Sequence, residues 1–419
     1  MERVYSGARV SPLRVCIDAR LGAKRFGGVE QVLIGVASGL SALTDGDEEY
    51  LFLTTPEHED WLVPYLGGPC RVLHPSQGYA RRRARAIGRG LAERIPRVGT
   101  RFSVRRSDGT IERAGADVVH FPFQDAFTTE VPSLYQPHDL QHLHLPEHFS
   151  RWARGRRETI YRTHCERASA VVTMSSWGRR DFIDRYGLDP GKVWVVPGAS
   201  VLDVYPAPTA QELDAMRKRF GLPEAFLFYP AQPWPHKNHE RLLDALALVR
   251  DRIGSPVSLV CTGAPPPAFE RVRDHAAEVG LADAVHFPGF VGPKELRGLY
   301  ELARGLVFPS RFEGWGLPIC EAFSAGLPVA SSSATGLPDL VRDAGLVFDP
   351  GSTEQMADAV QRLWTDDALR RTLAGRGAER ASELSWERTA RLFRAHYRRI
   401  GGQKLAEEDR ILLAAPPPA

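Results

Sequence analysis

Short apolar runs alternate with helical patterns almost from one end of the chain to the other. The runs LRVCIDA (13–19), YLFLTT (50–55), ADVVHFPF (116–123), AVVTMS (170–175) and VWVVPG (193–198) are apolar nearly throughout, and several are dominated by valine and isoleucine. Continuous rather than alternating hydrophobicity is what a strand covered on both faces requires. Between these runs, VEQVLIGVASGLSAL (29–43) and SSWGRRDFIDRYG (175–187) carry a helical period. Such a βαβα rhythm predicts an α/β fold built on a parallel, doubly wound sheet.

The rhythm breaks at VYPAPTAQELDAMRKRFGLPEA (204–225), where three prolines surround a polar helix-like stretch. This segment reads as an interdomain linker. The pattern then restarts with strands expected at 226–231, 257–263, 284–290, 305–310, 328–332 and 345–350. A length of 419 residues fits two domains better than one core. The expected division is 1–204 and 205–385, then a helix at 386–405 packing back toward the first domain. A partly disordered tail, 406–419, ends in AAPPPA. Two such units place a ligand site at the carboxyl ends of their strands, in a cleft between them.

Composition narrows the function classes. No apolar run approaches the roughly 18 residues of a membrane helix, and the first residues lack the apolar core of a signal peptide. Five scattered cysteines with no C-x-x-C pair argue against a disulfide scaffold or a zinc ribbon and for a reducing cytoplasm. Net charge is only +3, yet eleven arginines face three acids between Tyr79 and Arg113, and RWARGRRE (151–158) adds four more arginines. That surplus suits an anionic partner such as lipid headgroups or a phosphorylated acceptor, at the inner face of a membrane, or is a solvated face. No nucleic-acid module accompanies it.

Four stretches carry chemistry. In RLGAKRFGGVEQ (20–31), Gly27 and Gly28 open a helix, whose free N–H groups suit a phosphate. No G-x-G-x-x-G is present, which disfavours a nicotinamide site. PHDLQHLHLPEHF (137–149) holds four histidines, but their spacing and Pro146 do not make a metal site. His138, ending a strand, could donate a hydrogen bond to a sugar hydroxyl or bind nearby backbone. In YPAQPWPHKNHERLL (229–243), Lys237 stands at a loop-to-helix junction with Asn238 as the expected N-cap, a second anion site. Finally RFEGWGLPICEAFSAG (311–326) puts Glu313 in a loop and Glu321 one turn into a helix that Pro318 starts and Gly326 stops. Glu313 can accept from a hydroxylated ligand. Glu321 can hold vicinal hydroxyls if it faces that ligand, or it faces solvent.

Together these stretches resemble the retaining GT-B glycosyltransferases of family 4, the glycosyl transferases group 1. The family's E-x7-E pattern is matched by Glu313 and Glu321, and TGLPDLVRDAGLVFDP (335–350), HDLQHLHLPEHF and VVTMSSWGRRDFIDRYG are similar to its other motifs. The resemblance implies two Rossmann-like domains and a nucleotide-sugar donor held mainly by the second. It implies that Glu313 touches the transferred sugar, Glu321 the ribose and Lys237 the diphosphate. Backbone across Gly314, Trp315, Gly316 and Leu317 would line the sugar and phosphate, with His138, Gly27 and Gly28 reaching from the first domain. No metal and no cofactor beyond the donor is expected. The family's arginine five residues before the lysine is Gln232 here, with Arg311 a candidate substitute. The implied activity moves a hexose, mannose from GDP-mannose by likeness, to a polysaccharide or lipid-linked acceptor. A GT-B sugar-nucleotide epimerase and a donor-binding subunit without turnover are the alternatives.

Overall fold

A computed structural model of the chain describes residues 12–21, 27–75 and 102–415. They form two compact units. The first draws on residues up to Met174, on Arg179–Val196 and on the stretch from Trp386; the second on Ser175–Gly178 and Pro197–Ser385.

The first unit holds a seven-stranded sheet of β1 (Arg14–Asp18), β2 (Glu49–Leu53), β3 (Cys70–Leu73), β4 (Val118–Phe121), β5 (Ser133–Tyr135), β6 (Ala170–Thr173) and β7 (Val193–Val195). Every pairing is parallel, in the order β3-β2-β1-β4-β5-β6-β7. β4 and β6 are buried along their whole length, as their unbroken apolar runs predict. β3 carries no such run: at the sheet edge, CRVL has only Cys70 buried.

The second unit holds six parallel strands, β8 (Leu227–Pro230), β9 (Leu259–Thr262), β10 (Val285–Gly289), β11 (Gly305–Phe308), β12 (Val329–Ser332) and β13 (Gly345–Phe348). Their order is β10-β9-β8-β11-β12-β13. Each sheet therefore has one point where the winding reverses, between β1 and β4 and between β8 and β11. In open parallel sheets, ligands bind beyond the strand ends at that point.

The expected division needs correction. The 204–225 segment is not a free linker, because Ala210–Phe220 is a helix of the second unit. Thr209 and Glu212 close a capping box at its start and Gly221, at φ 59°, ends it. The units instead divide at Val196/Pro197. In the tail, Glu407–Ala414 is a helix, and residues 416–419 lie outside the described residues.

Helix Trp386–Ile400 packs on helix Gly28–Ser41 of the first unit. A methyl added at Gly35 would fall 1.9 Å from the Trp386 indole, and one at Gly39 would fall 2.3 Å from the Trp386 carbonyl oxygen. Only glycine lets the two helices approach so closely. Arg394, 2% exposed, pairs with Asp45 at 2.5 Å, while Arg398 binds Glu48 at 2.5 Å and Asp409 at 2.9 Å. The buried His120 shares a 2.8 Å hydrogen bond with the Tyr397 hydroxyl.

Candidate functional site

The second unit gathers its chemistry at the reversal of its sheet. β8 runs into a short turn, Pro235–Lys237, and β11 into the loop that precedes helix Leu317–Ser324. The Lys237 Nζ donates to Glu313 Oε1 at 2.5 Å, with the two side chains only 16% and 15% exposed. Two residues chosen from different motifs, 76 positions apart, thus meet. The Tyr229 hydroxyl donates to the Lys237 carbonyl at 2.7 Å and so fixes the turn that carries the ammonium.

Asn238 does stand at the head of helix His239–Ile253, but it does not cap by its side chain. It sits in the left-handed region at φ 63°, and its Nδ2 donates to the Pro309 and Pro350 carbonyls at 3.1 and 2.9 Å. It ties the ends of β11 and β13 to the lysine turn. Gln232 lies beside Gly263, where a Cβ would come within 3.3 Å of the Gln232 nitrogen. Arg311 is exposed, and its backbone N–H donates to the His236 carbonyl at 2.7 Å.

The 313–316 loop is fastened from several sides. Thr335 Oγ1 donates to the Glu313 carbonyl at 2.6 Å and accepts from the Glu313 N–H at 2.9 Å. Ser175 Oγ donates to the Gly314 carbonyl at 2.9 Å. A Cβ at Gly336 would fall 2.7 Å from that same oxygen. Gly316 adopts φ 126°, open to glycine alone, immediately before the helix. The backbone N–H groups of Gly314, Trp315 and Gly316 meet no protein acceptor among the described residues. With the positive end of the helix behind them, they suit an anion.

Two assigned residues are buried. The Trp315 ring is buried, 4% exposed, and its Nε1 donates to the Gly198 carbonyl at 3.1 Å. It anchors the loop and can offer a ligand only its backbone. Glu321 is 1% exposed rather than solvent-facing, and it accepts a 2.6 Å hydrogen bond from the buried Tyr300 hydroxyl. Leu317, also buried, begins the helix, with Pro318 in its first turn.

In the first unit, Gly27 sits at φ 56° ahead of helix Gly28–Ser41, and both glycines are exposed. Residues 22–26, the rest of that loop, lie outside the described residues. His138 is held at φ 71°, and its Nε2 donates to the Pro122 carbonyl at 2.8 Å. Burial pushes its pKa down to about 4, so the ring is neutral at pH 7 and its other nitrogen, Nδ1, is an acceptor. The expected donation to a sugar hydroxyl is therefore reversed: His138 can accept from one. The remaining histidines scatter to separate partners, His142 to Glu158 and His144 to Asp181. Among the described residues no group of three or more His, Cys, Asp or Glu is arranged to hold a metal. All five cysteines are free and buried. Of the arginine-rich stretch, residues 79–101 lie outside the described residues.

Two family models match this chain in tandem, "Glycosyltransferase Family 4" over residues 26–200 and "Glycosyl transferases group 1" over residues 213–380. The chain belongs to this GT-B glycosyltransferase family. Among its relatives is the O-antigen chain mannosyltransferase B of Escherichia coli, 29% identical over 255 residues, covering 60% of this chain and 66% of the relative. A D-inositol 3-phosphate glycosyltransferase of Nocardioides sp. is 32% identical over 251 residues, 56% of this chain and 54% of the relative. The chain thus matches less than two thirds of the length of these relatives. Among solved structures, Anabaena Alr3699/HepE in complex with UDP and glucose has a TM-score of 0.67 at 18% identity, covering 92% of this chain and 99% of that one. WaaG, a glycosyltransferase involved in lipopolysaccharide biosynthesis, has a TM-score of 0.63 at 17% identity, covering 93% and 100%. At such identities these two speak for the fold alone.

Proposed function

We infer that the protein transfers a hexose, mannose from GDP-mannose, to a polysaccharide or lipid-linked acceptor with retention of configuration. The observation that carries this reading is the meeting of Lys237 and Glu313 beside N–H groups of Gly314, Trp315 and Gly316 that meet no protein acceptor among the described residues. The choice of mannose rests on similarity to the O-antigen chain mannosyltransferase B.

In the proposed reaction the acceptor hydroxyl oxygen forms a bond to the anomeric carbon on the same face from which the nucleoside diphosphate departs. The bond from that carbon to the phosphate oxygen breaks, and the acceptor proton passes to the leaving phosphate. No protein base and no metal is then required. The protein's task is to stabilise charge building on the diphosphate, which fixed donors do without reorganising. Lys237 and the loop N–H groups serve that end, Glu313 accepts from the sugar, and Glu321 from the ribose. Arg311 is the proposed second cation in place of the arginine that Gln232 replaces; its guanidinium makes no ion pair among the described residues.

Purified protein should be stabilised against heat by GDP-mannose more than by UDP- or ADP-sugars, and should release GDP when an acceptor glycan is added. Stabilisation by another base overturns the donor assignment. An isomerised donor in the absence of acceptor means an epimerase, which the comparisons do not favour. Binding without transfer, even in Gln232→Arg, means a donor-binding subunit.

For the acceptor side, we assign contact with anionic lipid to the arginine-rich 79–113 stretch, on its eleven arginines against three acids. No helix among the described residues is long and apolar enough to cross a membrane. Reversing four of those arginines to glutamate is expected to lower binding to phosphatidylglycerol vesicles by tenfold or more, at about 1 kcal/mol per charge, with donor affinity unchanged. Undiminished vesicle binding overturns the assignment.

A further inference from the structure

Thr335 sits at φ 52°, in the left-handed region that a β-branched side chain strongly disfavours. Nothing about the turn itself demands threonine, since glycine would relieve the strain at once. The hydroxyl supplies the reason. It donates to the Glu313 carbonyl at 2.6 Å and accepts from the Glu313 N–H at 2.9 Å, so one oxygen holds both polar groups of one peptide residue. The next residue adds a third tie, Gly336 N–H to the Glu313 carbonyl at 3.4 Å. Glu313 itself lies in a loop, between the end of β11 and the helix at Leu317, with no helix or strand of its own to fix it.

We propose that Thr335 is a positioning residue, kept in a strained backbone conformation so that its hydroxyl fixes the Glu313 backbone and thereby the carboxylate that meets Lys237. This rests on the reading in which Glu313 acts on the transferred sugar. Backbone strain persists where surrounding structure over-determines it, and such places concentrate at functional sites. A carboxylate free to drift by about 1 Å from its working geometry can cost about 100-fold in rate.

The experiment compares Thr335→Gly, Thr335→Ser and Thr335→Val in the full chain, measuring kcat, the donor KM and thermal midpoint. Thr335→Gly removes the strain and both bonds. Its midpoint should hold or rise while kcat falls by about 10- to 100-fold at little-changed KM. Thr335→Ser keeps the hydroxyl and should retain kcat within about threefold, on the same reasoning. Thr335→Val keeps the strain without the bonds and should lose both stability and kcat. A structural role alone would move rate and stability together, so a drop in both for Thr335→Gly, or a wild-type kcat in it, overturns the proposal. Glu313→Ala is the control that separates the two readings. If it too turns over normally, the donor-site assignment fails; if it is inactive while Thr335→Gly is not, only the positioning role fails.

Discussion

Glu313→Ala and Lys237→Ala should each lower kcat/KM by at least about 10²–10³, the usual cost of removing one preorganised group from a site of developing charge. The two side chains form one unit, paired at 2.5 Å and largely shielded from water. Groups that act together lose their effect together, so the double substitution should cost little more than either single one. Stability should change far less than activity, because Tyr229 and Asn238 hold the lysine turn and Thr335 holds the glutamate loop through backbone contacts that neither substitution removes. Steady-state kinetics with saturating acceptor, alongside thermal melts, reads both. A wild-type rate in either single variant breaks the assignment of the site.

The second large effect is in acid. In the first unit burial pushes His120 and His396 down to about 3, and His138 and His164 to about 4. His142 is also lowered, burial outweighing the raising effect of Glu158. In the second unit His239 is held at about 3, with His286 lowered as well. An unfolded histidine titrates near 6.5, so from there downward the unfolded chain takes up protons that the folded chain refuses. Stability is whole above about pH 6.5 and drains away as pH falls toward 4. Each such histidine contributes a slope of up to about 1.4 kcal/mol per pH unit, and His120, His138, His164 and His396 together up to about 5.6. Against a typical stability of about 5–15 kcal/mol, the first unit should open by about pH 5 while the second persists. Hydrogen exchange read by peptide at pH 7, 6 and 5 would show protection lost first around β1, β4 and helix Trp386–Ile400. Equal protection of both units down to pH 4 would contradict it.

Much of this architecture was legible in the chain, for a physical reason. Parallel strands covered on both faces must be apolar throughout, and their runs stand out; β9 and β12 were visible in VSLVCTG and PVASS. β3 was not, because an edge strand with one buried residue carries no such run. The lysine and glutamate could be named from their motifs, but not their meeting. Chain direction also said nothing of Trp315, whose burial depends on a carbonyl 117 residues away. Thr335 left no sequence signal at all. A threonine before glycine is ordinary, and its meaning lies in a left-handed φ and a partner 22 residues upstream, both products of tertiary structure. The helix at 210–220 is announced by its capping box, but the prolines that flank it read equally as a linker.

The first unit draws on residues both before and after Pro197–Ser385, so the whole of that stretch is threaded through it. A ribosome therefore delivers the seven-stranded sheet long before the helix at Trp386 that covers Gly35 and Gly39. The later-made half holds all its own strands consecutively and can finish first. The earlier-made half is expected to keep one helix uncovered until the stretch from Trp386 is made and closes a very long loop. Docking of the Trp386 helix onto Gly35 and Gly39 is thus expected to be the late step in folding of the first unit.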